Sequence, residues 1–306
     1  MALQHTLKSP VALSGVALHS GSPVHLRILP SPPDTGLRFV RTDLRPAVEI
    51  PAISRNVADT TLATVLSADG SEVSTVEHCV AALAGLGIDN AMVEVDGPEL
   101  PILDGSALLY VESILAAGLR PQAAPRRVLR VEKPLRVEEG EKFCILRPSP
   151  RFSVTYTIDF SGRIPGTQHF YLEITPTTFA AELCPARTFG FLEEVEYLRS
   201  VGKARGGSLE NAVVLHDGKV LNPEGLRIED EFVRHKILDA VGDLALIGMP
   251  VLGHLIVHKG GHGLHDRLVK ALLARPDAWT VVDAGQQPQR HRPVTLPHRE
   301  MVPAHA

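Results

Sequence analysis

The chain has 306 residues, of which 44% are hydrophobic and 22% charged, with a formal net charge of -4. A length of this order suggests about two domains, each able to bury its own core. The acidic balance excludes a general nucleic-acid binder, which needs a basic footprint. No run of about 18 apolar residues occurs, so no spanning helix is expected. The longest candidate, 244–257, is broken by Pro250 and His254. The N-terminus has no apolar signal-peptide core, and Cys79, Cys144 and Cys184 are widely spaced with no CxxC pair. These features predict a cytoplasmic protein in a reducing compartment.

The first ~70 residues read as short strands joined by turns. Residues 24–29 and 37–41 alternate apolar and polar side chains, and 30–36 (PSPPDTG) is a turn-rich connector. Ser74 opens an apolar helix over 76–86, closed by Gly85 and Gly87. A strand at 91–95 and a helix over 106–117 follow. The polar stretch 121–127, with two prolines, reads as a linker.

The second half starts again with strands at 128–137, 143–146, 152–158, 170–174 and 179–183. An amphipathic helix at 192–201, a strand at 212–215 and a helix spanning 234–244 come next. A strand at 251–257, a Gly-rich turn and a helix at 266–274 complete it. Both halves run strands, a helix with an early His, a strand, a helix. The expected fold class is α+β: two domains of similar topology, each a mixed sheet with two helices, the helices packed between the sheets. The expected boundaries are 1–124 and 125–285, with 286–306 a loose polar tail.

On the 234–244 helix, His235 and Asp239 are four residues apart and share a face, and Asp243 extends the row. An imidazole and a carboxylate so stacked are two arms of a zinc site; a catalytic zinc takes three protein ligands. His78 is the third candidate. Glu77 beside it has two readings, a general base or the last member of a Ser-x-x-Glu capping box begun by Ser74. His262, at a glycine-flanked bend, has Asp243 as a partner that would favour its protonated form. His78, His235 and Asp239 on metal, Glu77 as base and His262 as acid describe hydrolysis of an amide or ester.

These stretches, with GVALH (15–19), AALAGLGIDN (81–90), ILDGSA (102–107), ARTF (186–189) and GGSLENA (206–212), run in order over most of residues 1–275. They resemble the UDP-3-O-acyl-N-acetylglucosamine deacetylase family, zinc amidases of lipid A biosynthesis in Gram-negative bacteria. The resemblance implies Zn2+ on His78, His235 and Asp239, with Fe2+ also suited to those donors. It implies Glu77 as base, His262 as acid with Asp243 behind it, and Thr188 bonding the oxyanion. Lys236, Phe189, His19, Lys142, Phe160 and Lys259 match substrate contacts, and 192–214 matches an insert lining an acyl tunnel. The implied partner is a UDP-3-O-acyl-GlcNAc substrate, with a monomeric protein. Two rival readings are a zinc amidase on another acylated amine, and a binding module with structural zinc; the cysteines are not spaced for the latter.

Overall fold

The computed structural model describes residues 2–164 and 166–286. The tail expected over 286–306 lies outside the described residues from 287 onward. Two mixed sheets dominate. In the first, the strands lie in the order Val11–Val16, Pro23–Pro30, Ala91–Val95, Leu37–Arg41, Val48–Pro51. All neighbours are antiparallel except Ala91–Val95 with Leu37–Arg41. In the second, Leu135–Glu139, Lys142–Arg147, Val251–His258, Phe152–Ile158 and Gln168–Glu173 repeat that order, with a parallel contact again between the third and fourth strands. The strands Arg127–Val131 and Trp279–Asp283 extend this second sheet.

The helices obey the same order. Helix α1 (Glu77–Gly85) precedes the third strand of the first sheet and α2 (Leu108–Ala117) follows it. A single turn α3 (Pro176–Thr178) and an insert helix α4 (Leu192–Ser200) come before the corresponding pair, α5 (Glu231–Ala245) and α6 (His262–Leu273). A parallel pair needs a long crossover, and α1 and α5 lie within those crossovers. The expected α+β architecture of two similarly connected sheets therefore holds. None of the described helices is long and apolar enough to cross a membrane.

Strand alternation fixes which faces are buried. In Pro23–Pro30 the residues Val24, Leu26 and Ile28 point inward; in Val251–His258 it is Val251, Gly253, Leu255 and Val257. Helix α5 is buried on nearly every side, because it packs on α1, on α6 and on the second sheet together. The contact with α1 depends on Gly242: a Cβ there would lie 2.3 Å from the Glu77 carbonyl oxygen. That neighbour is backbone and cannot swing away. Gly242→Ala is thus expected to destabilise the fold by about 1–3 kcal/mol through overpacking, read as a lowered denaturation midpoint. An unchanged midpoint would mean the two helices part without cost.

Four local expectations are corrected. The stretch 179–183 is a helical turn continuing α3, not a strand; Thr175 caps α3 by accepting the Thr178 amide at 3.1 Å, and Pro176 starts it. The predicted strand 128–137 is two strands, parted at Glu132-Lys133-Pro134. The polar linker 121–127 is mostly strand, Leu119–Pro125, antiparallel to Leu3–Leu7 at the N-terminus. Finally, α6 begins at His262 rather than at 266.

Candidate active site

Helices α1 and α5 cross with the rings of His78 and His235 5.0 Å apart, edge to face. Asp239 Oδ1 lies 3.6 Å from His78 Nε2 and 3.4 Å from His235 Nε2. One ligand atom from each of the three residues falls within 4.8 Å of the others. All three side chains are buried, and Asp239 Oδ1 has no hydrogen-bond partner. A buried carboxylate oxygen without a partner is costly unless a cation completes it. His235 Nδ1 donates to the Ala186 carbonyl at 3.1 Å, which turns Nε2 toward Asp239. Burial pushes its pKa down to about 3, leaving the neutral imidazole that a metal ligand requires. Two imidazole nitrogens and one carboxylate oxygen fit a divalent metal such as zinc or ferrous iron.

The Glu77 capping box does not form. The Ser74 hydroxyl instead donates to the Pro98 carbonyl at 3.2 Å, and Val76 is the N-cap with no side-chain cap bond. The Glu77 carboxylate turns toward the loop before it, accepting the Thr64 amide at 3.1 Å. Burial raises its pKa, against the opposing pull of His262 and His78.

Asp243 carries the second polar cluster. Its Oδ2 accepts His262 Nδ1–H at 2.7 Å and His265 Nδ1–H at 2.8 Å; its Oδ1 accepts the Thr64 hydroxyl at 2.6 Å. Burial alone would lower the His262 pKa, but the adjoining Asp243 carboxylate outweighs it and raises it to about 9. The imidazolium's Nε2 lies 4.0 Å from Asp239 Oδ2, so it faces the candidate metal centre. His265 stays neutral through burial, its Nε2 3.3 Å from the Tyr156 hydroxyl.

The remaining predicted residues fall in two places. Lys236 donates to Asp239 Oδ2 at 2.7 Å, so its ammonium lies at the candidate metal site itself. Phe189 stands 6.3 Å from the His235 ring, next to Thr188, and Phe160 packs on it edge-on at 5.6 Å. Lys259 pairs with Asp159 at 2.9 Å and Glu141 at 3.4 Å, each the chain neighbour of Phe160 or Lys142. Phe189 and Phe160 thus lead outward from His235 toward the Asp159–Lys259 pair, and Lys142 is exposed at the start of its own strand. His19 lies on the other half: its amide donates to Glu99 Oε1 at 2.7 Å, and both ring nitrogens lack partners. The insert 192–214 opens with α4 and runs into the strand Val213–His216, which pairs in parallel with Phe189–Phe191 just before the insert. It meets the His19 loop where Gly206 N–H donates to the Leu18 carbonyl at 3.0 Å.

Thr64, His265, Ala186 and Glu231 were not anticipated. His265 had a legible signal: it is three residues from His262, one turn once the helix starts at 262. Thr64 had none, since its role depends on a loop folding over α1.

A family profile described as UDP-3-O-acyl N-acetylglycosamine deacetylase matches residues 4–274. A UDP-3-O-acyl-N-acetylglucosamine deacetylase of Syntrophus aciditrophicus is 50% identical over 280 residues, covering 92% of this chain and 89% of that one. The enzyme of the same name from Shewanella violacea is 50% identical over 299 residues, 97% of each chain.

Proposed function

The chain belongs to the UDP-3-O-acyl N-acetylglycosamine deacetylase family, and from that premise we propose a zinc-dependent hydrolase that removes acetate from UDP-3-O-(3-hydroxyacyl)-N-acetylglucosamine, the committed step of lipid A biosynthesis. The carrying observation is the convergence of His78, His235 and Asp239 from two helices, with Glu77 and His262 beside them. His78, His235 and Asp239 hold the ion. When bound, it supplies Lewis acidity, polarising the acetamide carbonyl and acidifying water.

The chain's own groups do the rest. Glu77 accepts the proton of the attacking water, a task for which its burial-raised basicity suits it. His262, kept cationic by Asp243, protonates the amine as the C–N bond breaks. The Thr188 hydroxyl donates to the developing oxyanion. Acetate and the free amino sugar are the products. Lys142 and Lys259 attract the diphosphate, Phe160 and Phe189 flank the nucleotide and sugar, and His19 and Lys236 complete the polar contacts. The exposed Tyr197 and Val201 on the insert, with Leu62 on the 59–63 loop, offer apolar surface for the acyl chain. Residues 1–124 contribute Glu77 and the first ligand; 125–285 contribute the other ligands and the acid.

Acetate release from that UDP-sugar is the test. The expected result is release that a chelator abolishes and one equivalent of zinc restores. Zinc-loaded protein that leaves the substrate intact overturns the reading.

A further inference from the structure

The Ala186–Arg187 peptide group is held at both ends by one helix. Its carbonyl oxygen accepts His235 Nδ1–H at 3.1 Å; its N–H donates to Glu231 Oε1 at 3.0 Å. Glu231 and His235 are four residues apart on α5, so the peptide spans one helical turn. Glu231 is fully buried and charge-balanced by Arg187, whose Nε donates to Oε1 at 2.8 Å and whose Nη2 donates to Oε2 at 3.2 Å. The Arg227 amide fills the remaining lone pair at 2.8 Å. Arg187 has further acceptors in Glu224 Oε1 and the Gly225 carbonyl, both at 2.7 Å.

We propose that Glu231 is a positioning residue for the metal ligand His235, acting through the Ala186–Arg187 peptide. Metal-bound histidines commonly donate their second N–H to a carboxylate or a carbonyl, which fixes the ring and raises its basicity. Here the two partners are joined in series: carboxylate to amide N–H, amide carbonyl to imidazole N–H. An anion on the N–H polarises the peptide and makes its oxygen a stronger acceptor, as in any hydrogen-bonded chain in a low-dielectric interior. The same clamp sets residue 188 on the next peptide, so it also fixes where the Thr188 hydroxyl stands.

The inference rests on the metal-site reading, and metal affinity tests it without turnover. Zinc dissociation constants would be measured by chelator competition for the wild type, Glu231→Gln, Arg187→Met and the double variant Arg187→Met/Glu231→Gln. Arg187→Met removes the ion pair but keeps the carboxylate on the peptide, and serves as the control for a merely structural role. The double variant avoids leaving the guanidinium short of partners. Both Glu231 variants are expected to bind zinc ten-fold or more weakly, within the 10–100-fold range typical of outer partners. Arg187→Met is expected to stay within about three-fold of wild type. Equal weakening by Arg187→Met and Glu231→Gln, or none by either, overturns the inference. Wild-type protein that fails to bind zinc would instead overturn the metal site.

Discussion

Asp239→Ala is expected to abolish stoichiometric zinc binding and, with it, acetate release. The carboxylate is the only anionic donor among the three candidate ligands, and its Oδ1 sits between two imidazole Nε2 atoms at 3.4 and 3.6 Å. Burial alone would raise its pKa, but the Lys236 ammonium on its Oδ2 holds it well below the usual carboxylate range, so it is ionised near neutrality. Removing it leaves only two imidazole nitrogens and places the Lys236 ammonium, otherwise 2.7 Å from Asp239 Oδ2, uncompensated at the site. Loss of an outer partner commonly costs 10–100-fold in metal affinity; loss of a direct ligand together with its charge should exceed about 100-fold. Metal content after dialysis, beside a melting curve showing the fold intact, is the measurement. A variant that keeps one zinc per chain at wild-type affinity would remove Asp239 from the ligand set.

The legible part of this molecule was the part written in periodicity. The 3.6-residue rhythm of 234–244 placed His235, Asp239 and Asp243 on one face, and strand alternation located the second and fourth strands of the first sheet, at 24–29 and 37–41. The shared run of strands and helices around His78 and His235 anticipated a common topology, which the matching order of five strands in each sheet displays. What periodicity does not encode is which polar group wins a contest for a partner. Ser74 and Glu77 have the spacing of a capping box, yet Ser74 finds the Pro98 carbonyl and Glu77 the Thr64 amide. Both partners come from loops distant in sequence. The 179–183 stretch fails for a related reason. Its apolar residues suit a buried strand, but the Thr175 cap and Pro176 begin a turn that continues through it, and Phe179 then packs against Gly85 on α1. The prolines at 121 and 125 suggested a linker because a proline cannot donate to a ladder, yet both take places in the pairing with the N-terminal strand, Pro121 opposite His5 and Pro125 opposite Leu3.

Glu77→Gln is expected to keep the metal and lose turnover by about 10²–10⁴-fold, the usual contribution of a positioned general base. The substitution preserves volume, and the amide oxygen can still accept the Thr64 N–H, so α1 should stay in place. What disappears is basicity. Glu77 and His262 are displaced in the same direction for opposite purposes. Burial lifts the carboxyl and makes it a more willing proton acceptor, while Asp243 overrides burial at His262 and lifts the imidazole to about 9, so that it carries a proton to give at neutral pH. If the pair divides the work in this way, the Gln variant should show wild-type zinc stoichiometry and a fall in kcat with little change in KM, because nothing that grips the nucleotide, the sugar or the acyl chain has been touched. A variant that retains most of its rate would return Glu77 to a purely structural role, holding the Thr64 loop over the helix. Loss of zinc together with activity would instead show that the carboxylate helps to bind the ion, and the base would have to be sought among the other groups facing His78.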